Sequence, residues 1–277
     1  MDTDSWADFP HPNADFEYPA AKLKKAWSEL HRGDQEPFPD EKRVADMDPE
    51  CADPAATAEA LQQAWRDFHA GRFAAAVSGA DAIGLLGHAV ANKACGIYAD
   101  YLEEDDATKV EIYREGVRRA EAAIARWPDD ANAHYFRAFL LGRYSQSISV
   151  TKALAEGVAG KIRQSLDRAL ELAPRHAEAW TASGLYHAEI IDKVGKLIGS
   201  MTYGANADRG LADCRKALEL TPNAPIAQLE YGNALYLLYG DKRLDESNEA
   251  YERAAAIKPI EAMQYLDVQF AKDYLEG

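Results

Sequence analysis

Apolar side chains return every three or four residues through most of the chain after residue 58, which is the spacing of one face of an α helix. Four of these segments end alike, with an alanine five positions before a proline. Proline lacks the N–H that continues a helix, and it restricts the residue ahead of it. Each proline is therefore predicted to end a helix. The pairs are Ala123 and Pro128, Ala169 and Pro174, Ala217 and Pro222, and Ala254 and Pro259.

The residues that follow the first three of these prolines also match one another. Five positions after each proline stands an alanine, at Ala133, Ala179 and Ala227. Ten positions after each proline stands a small residue, at Ala138, Gly184 and Gly232. Because small side chains let two helix axes approach closely, a second helix is predicted to follow each proline and to pack tightly on its neighbour.

This pattern resembles the tetratricopeptide repeat (TPR), a helix–turn–helix unit of about 34 residues. The family places a bulky residue, a small one, an alanine, an aromatic, another alanine and a closing proline in that order. Trp180, Gly184, Ala217 and Pro222 fit those places in one repeat, and Gly232, Tyr251, Ala254 and Pro259 fit them in the next. An earlier unit is visible in Gly71-Arg72-Phe73 followed by Ala76. The resemblance covers roughly residues 58–275. It implies an all-α fold, a TPR-like right-handed α-α superhelix, or solenoid, of about five helical hairpins.

The spacing of the prolines departs from that family, since they lie 46, 48 and 37 residues apart. The two large surpluses fall near residues 145–161 and 191–206, inside the predicted hairpins. Long hairpins of this kind resemble those of the regulator-of-microtubule-dynamics proteins and of the T component of TRAP-type transporters. Both are divergent TPR proteins without an established set of catalytic residues, so the resemblance implies binding and no catalysis.

Residues 1–55 lie outside the repeats and are predicted to form an acidic, aromatic-containing arm with one short helix, followed by a TPR-like helical-repeat domain at 56–277. The helix is predicted at 20–31, with Leu23, Trp27 and Leu30 on one face. Residues 1–60 hold 15 acids against 6 bases, a net charge of −9. A disordered tail is the alternative, although the aromatic residues at Trp6, Phe9, Phe16, Tyr18 and Phe38 argue against it.

Charge and composition exclude several classes of function. The net charge of −15 repels phosphate backbones, so nucleic acid is not expected as a partner. No run approaches the roughly 18 apolar residues of a membrane span. The acidic start does not resemble a secretory signal, and a cytoplasmic location is expected. Three separated cysteines without a CxxC motif predict neither a disulfide framework nor a metal site.

Catalytic patterns are also missing from the sequence, which contains no HExxH and no GxSxG motif. His187 and Glu189 are two steps apart and do not share a helix face, so His187 is interpreted as a hydrogen-bonded interior residue, with a base or ligand as the alternative. The chain is therefore predicted not to be an enzyme and to need no cofactor.

The first helix of each repeat lines the groove in this family, and it supplies the candidate binding residues. By this analogy the groove candidates are Asn132, Tyr135, Phe139, Arg143, Glu189, Asn233 and Tyr236. Amides and aromatic rings together suit a peptide, although the same aromatic residues could belong to the core between repeats. We expect an adaptor or scaffold for an unidentified protein or peptide; the alternative is a transporter-associated or other small-ligand-binding TPR subunit with a pocket or pore lined by the long hairpins.

The two long hairpins are basic in an otherwise acidic chain. Residues 143–175 and 193–216 each carry a net charge of +3. The candidate surface consists of Arg163, Lys193, Lys196 and Arg209, and its hypothetical partner is acidic, such as the arm of the same or a neighbouring chain. Dispersed, solvated cations are the alternative. Apolar residues at 197–204 also suggest a surface that the arm or a homo-oligomer covers.

Charge reversal at Lys193, Lys196 and Arg163 is expected to weaken association with an acidic partner and to reduce its dependence on salt, because exposed ion pairs are screened by salt. Binding measured at low and high ionic strength tests this. Unchanged affinity and unchanged salt dependence would contradict the hypothesis.

Overall fold

The structure is a computed structural model that describes residues 3–11 and 16–276. Within these residues the regular structure is entirely helical, with α helices and two short 3₁₀ helices. The chain divides into two compact units. The division into an arm at 1–55 and a repeat domain at 56–277 stays a prediction.

Unit 1 comprises the described residues up to 31, residues 36–158 and residues 261–263. Its helices are α1 (Ala20–Leu30), α2 (Glu41–Met47), α3 (Pro54–His69), α4 (Phe73–Ile83), α5 (His88–Tyr101), α6 (Asp106–Arg126), α7 (Ala131–Gln146) and α8 (Val150–Ala155), with a 3₁₀ helix at Leu85–Gly87. From α2 to α7, each helix packs against the next along the chain.

Unit 2 comprises residues 32–35, 159–260 and the described residues from 264. Here α10 packs against both α12 and α13, and α13 packs against α14. The helices are α9 (Val158–Leu172), α10 (Ala177–Val194), α11 (Lys196–Tyr203), α12 (Ala207–Leu220), α13 (Pro225–Tyr239), α14 (Leu244–Ala256) and α15 (Ala262–Glu276), with a 3₁₀ helix at Gly240–Arg243.

Aspartate side chains mark the starts of several helices, and prolines mark the ends of others. Asp53, Asp105 and Asp130 each accept a backbone N–H from the first turn of the helix that follows, which satisfies a donor without an intrahelical partner. The predicted stops are confirmed, since α6, α9, α12 and α14 each end two or three residues before their proline. Four separate prolines therefore delimit the repeat in the way that the sequence predicts.

The small residues of the repeat lie where helices cross. Ala123, Ala169, Ala217 and Ala254 are all fully buried. A Cβ atom added at Gly184 would overlap the sulfur of Cys214 on α12 and lie 2.8 Å from the carbonyl oxygen of Gly210. A Cβ atom at Gly232 would lie 2.9 Å from the ring of Tyr251. These distances confirm the prediction of close helix approach.

Each long hairpin contains one additional short helix, which accounts for the surplus residues. These helices are α8 in the first hairpin and α11 in the second. Glycines with positive φ flank α11, with φ of 80° at Gly195 and 64° at Gly204, and such angles suit a residue without a Cβ atom. The chain therefore turns sharply at both ends of α11.

The N-terminal segment contains the predicted helix and a second one. Leu23, Trp27 and Leu30 of α1 are buried, as the sequence predicts. The second helix, α2, was not predicted. It is capped by Asp40 and buries Val44, and it is too short to show a helical period in the sequence. No described helix has the length and hydropathy needed to cross a membrane.

Substitution of Gly184 by alanine is expected to destabilise the protein by about 2 kcal/mol, because the new methyl group overlaps atoms at a crossing of two helices. Gly142 lies within α7 and has open space around its Cα atom, so Gly142→Ala is the matched control. It should stabilise by up to about 1 kcal/mol through helix propensity. Urea denaturation measures both, and equal effects of the two substitutions would refute close packing at Gly184.

Candidate functional site

The groove candidates of unit 1 lie on α7 and are engaged by other parts of the same unit. The Asn132 amide donates a hydrogen bond to the Glu36 carboxylate at 2.6 Å, and Tyr135 is buried. The rings of Tyr135 and Phe139 lie 6.1 Å apart and nearly parallel. The Arg143 guanidinium lies 3.0 Å from an Asp100 oxygen.

The first helix of the preceding hairpin, α5, is covered by the N-terminal segment. Trp6 stacks on Tyr98, with ring centres 3.9 Å apart and planes within 4°. The Ala7 N–H donates to the Tyr98 hydroxyl at 3.1 Å, and the hydroxyls of Thr3 and Ser78 lie 2.7 Å apart. All residues from 88 to 99 are buried, including Asn92 and Lys93. The chain's own N-terminal residues thus occupy surface that a ligand of α5 would need.

Aromatic packing between α1 and α3 holds this segment in place. The Trp27 ring lies edge-on to Trp65, with centres 5.8 Å apart, and its indole N–H donates to the carbonyl oxygen of Glu36 at 2.7 Å. Beside this pair, the buried His69 imidazole contacts the buried Glu261 carboxylate. Aromatic burial and hydrogen bonding together make the segment part of the fold of unit 1.

A charged cluster lies at the start of α7. Burial opposes ionisation of Asp130, but bonding to His88 and to the Ala133 N–H, and the charge of Arg43, outweigh it and hold the Asp130 pKa at about 2. Next to it, Arg43, Trp65 and His88 help to line a cavity of about 20 Å³. That volume suits a single water molecule and is too small for a peptide side chain.

The candidates of unit 2 present a more open surface. Glu189 lies 3.4 Å from Lys193, and the Asn233 amide donates to Glu230 at 3.1 Å. Tyr236, near the end of α13, is 49% exposed. The binding role of all the groove candidates, in both units, stays a prediction.

Phe270 belongs with these residues and was not among the sequence candidates. It lies on α15, eleven positions after Pro259, the step that Phe139 occupies after Pro128. Its side chain is 50% exposed. The repeat register, extended past the last proline, would have identified it. We call the side of α10, α13 and α15 that carries Tyr236 and Phe270 the first-helix face of unit 2.

Three of the four cations of the predicted basic hairpin surface lie beside carboxylates of their own unit. Arg163 lies 2.8 Å from Asp167, and Arg209 lies 3.8 Å from Asp213. Lys193 is near Glu189, as described above, and Lys196 is exposed. Partly exposed ion pairs of this kind each contribute little stability, and the role of these cations as a binding surface stays a prediction.

Polar side chains on α10 form hydrogen bonds to the end of α11, to the turn that follows it and to α12. The Nδ1 atom of His187 accepts the Asn206 N–H at 3.3 Å, which agrees with its interpretation as a hydrogen-bonded interior residue. The Tyr186 hydroxyl donates to the Tyr203 carbonyl at 3.0 Å, and Ser183 donates to Asp213 at 2.7 Å. The first two bonds hold the turn after α11, and the third joins α10 to α12. On α11 itself, Leu197, Ile198 and Met201 are exposed.

Burial, together with the charges of Arg163 and Arg209, lowers the pKa of His187 from 6.5 to about 4. Between these values the unfolded chain binds a proton that the folded chain does not. The stabilisation from neutral His187 is therefore complete above pH 6.5 and is lost as the pH falls towards 4.

This predicts that acidification from pH 6.5 to 4 costs the wild type up to about 3 kcal/mol of unfolding free energy through His187. His187→Asn retains a side-chain oxygen that can accept the Asn206 N–H but has no proton to bind. Urea denaturation at several pH values should show a shallower pH dependence in the variant. Identical slopes in the two proteins would exclude this role for His187.

Comparison with known proteins supports the interpretation of the chain as a repeat protein. The crystal structure of TTC0263, a thermophilic TPR protein in Thermus thermophilus, aligns with a TM-score of 0.56 at 15% identity and covers 78% of this chain and 98% of its own. The TPR-like, all-α fold is thereby confirmed. No curated protein matches the chain.

The match to a protein family is more specific. The family model described as Regulator of microtubule dynamics protein 1-3 matches residues 89–264, more than half of the chain. The matched range contains both long hairpins, whose resemblance to this family the sequence indicated. The chain belongs to the Regulator of microtubule dynamics protein 1-3 family.

Proposed function

We propose that this protein is an adaptor or scaffold that binds a protein or peptide segment through the first-helix face of unit 2. The observation that carries the proposal is the exposure of Tyr236 and Phe270, about half of each side chain, on first helices of the repeat. Aromatic residues supply much of the binding energy at protein interfaces, since they bury a large area with little loss of conformational entropy.

The first-helix face of unit 2 lies on a buried apolar cluster and carries an amide beside its exposed rings. Leu229 of α13, Tyr251 and Ala254 of α14 and Ala271 of α15 form one buried cluster. This cluster fixes the helices that carry the exposed rings, so little order has to be gained on binding. The Asn233 amide, one turn before Tyr236, donates one N–H to Glu230, and an amide has a second N–H and an oxygen that can bond to a peptide backbone.

A comparison of equivalent repeat positions supports the choice of unit 2. Phe139 and Phe270 stand at the same step after their prolines, yet their surroundings differ. Phe139 fills the space beside Gly96 and lies under the Arg143 guanidinium, whereas half of Phe270 faces solvent. In unit 1, moreover, Glu36 already bonds to Asn132. The contacts favour the first-helix face of unit 2 as the open surface.

Substitution of Tyr236 or Phe270 by arginine is expected to weaken partner binding about 30-fold, the effect of losing an aromatic hot spot worth about 2 kcal/mol. The full-length protein, carrying a photo-crosslinking residue at position 236, would be used to capture and identify the partner from its native cell. Retention of that partner by each variant is then measured. Both variants should melt like the wild type, because the replaced side chains are half exposed.

Leu197→Arg is the matched control, since it also replaces an exposed apolar side chain, here on α11. Retention of the partner by this variant, and its loss with Tyr236→Arg and Phe270→Arg, would support the proposal. Loss with Leu197→Arg alone would place the interface on the long hairpin and overturn it. If no protein is captured and small acids raise the melting temperature, the function is small-ligand binding.

A further inference from the structure

Residues 3–9 lie on unit 1 in the way that a short peptide lies on a binding protein. Every third side chain contacts the surface, at Thr3, Trp6 and Phe9. The residues between them are all exposed. A short segment that contacts its support through side chains at a fixed spacing has the form of a recognition motif, in which a few anchors carry the specificity.

The surface beneath this segment is formed by α4, by the turn before it and by α5. The Ser78 hydroxyl of α4 contacts the Thr3 hydroxyl. A Cβ atom added at Gly71, in the turn, would lie 2.6 Å from the Phe9 ring, so the missing side chain at Gly71 leaves the space that this ring occupies. We call the surface formed by Gly71, Ser78 and Tyr98 the Tyr98 site.

Tyr98 makes two kinds of contact with the segment. Its ring stacks on Trp6, and its hydroxyl oxygen accepts the Ala7 N–H. The same hydroxyl donates to the Glu103 carboxylate, 3.4 Å away. Because its proton is directed to Glu103, the oxygen is available to accept a backbone N–H, which every peptide has apart from its prolines. The stacked ring adds a preference for an aromatic side chain.

Other contacts hold the helix that follows, so residues 3–9 can leave the Tyr98 site while α1 stays packed. Leu23, Trp27 and Leu30 form the buried face of α1, and Trp27 lies edge-on to Trp65. None of these side chains belongs to the Tyr98 site. Segments that bury few groups open at a low cost in free energy.

We propose that the Tyr98 site is a second peptide-binding site, that residues 3–9 are its intramolecular competitor, and that its ligand is a segment of a partner protein with a tryptophan and a phenylalanine three positions apart. This site belongs to unit 1 and does not depend on the function proposed for the first-helix face of unit 2.

The competitor also determines whose segment can bind. A tethered segment is present at an effective concentration on the order of millimolar. The same segment from a second copy of the chain gains no contact over the tethered one, so it is excluded at lower concentrations. The ligand therefore belongs to a different protein, and it must bind more tightly than residues 3–9 do.

The probe is a fluorescently labelled peptide with the sequence of residues 3–11, titrated against the full-length protein by fluorescence anisotropy. Trp6→Ala removes the stacking contact of the tethered competitor, so this variant should bind the peptide at least about fivefold more tightly than the wild type does. Trp180→Ala is the matched control, since it replaces another partly buried tryptophan, in unit 2. It should bind the peptide as the wild type does.

Further variants, made in the Trp6→Ala protein, identify the contacts. Tyr98→Phe keeps the ring and removes the hydroxyl, and it should weaken peptide binding about threefold or more. Alanine in place of the tryptophan or the phenylalanine of the peptide should weaken binding about tenfold or more, and these changes leave the protein itself unaltered. Tyr236→Arg, in unit 2, should have no effect. Melting temperatures check that each variant is folded.

A peptide library selected on the Trp6→Ala protein tests the chemistry of the partner. The enriched peptides should contain tryptophan and phenylalanine three positions apart, and they should compete with the labelled peptide. Enrichment of peptides without this pair would show that the partner segment is wrong.

The remaining outcomes separate this inference from its alternatives. Absence of binding to the Trp6→Ala protein, equal binding to this variant and the wild type, or binding that does not depend on Tyr98 would overturn the inference. Dependence on Tyr236 instead would place the peptide on the first-helix face of unit 2, which would overturn the inference and support the proposed function. If the wild type dimerises as its concentration rises and Trp6→Ala abolishes the dimer, the occupant is a second copy and the partner protein is wrong.

Discussion

The fold depends on the close approach of paired helices at positions that accommodate only glycine or alanine. Gly184 meets the sulfur of Cys214, Gly232 meets the ring of Tyr251, and the alanines five residues before each proline are fully buried. A single helical pair cannot bury its apolar side alone, so each pair is stable only against its neighbours. Small residues at the crossings bring the larger apolar side chains into contact, and the exposed faces are built on that packing.

Equivalent repeat positions have acquired different surroundings. Phe139 packs beside Gly96 in unit 1 and is partly buried, while half of the Phe270 side chain is exposed in unit 2. The N-terminal segment explains part of the difference in unit 1, since Trp6 covers Tyr98 of α5 and Glu36 bonds to Asn132 of α7. A repeat scaffold can thus leave one surface exposed in one part while its own chain covers another.

The long hairpins show how insertions alter the repeat without disrupting it. In the second hairpin, α11 begins and ends at glycines with positive φ, and hydrogen bonds to His187 and Tyr186 fix the turn that follows it. The cations of this region lie beside acids of their own unit, so the exposed aliphatic side chains of α11 are its more distinctive feature.

The sequence by itself determined the repeat, the helix ends at the four prolines, the buried face of α1 and the candidate positions on the first helices, because each depends on spacing along a single helix. It did not reveal α2, whose seven residues are too few to show a period. Only the tertiary structure decided which candidate side chains are exposed. Exposure depends on contacts between remote segments, such as the bond between Glu36 and Asn132, which are 96 residues apart. The contact between His69 and Glu261, which are 192 residues apart, is another of this kind. Such contacts have no signature in local spacing, since they arise when the packing of the helices brings distant parts of the chain together.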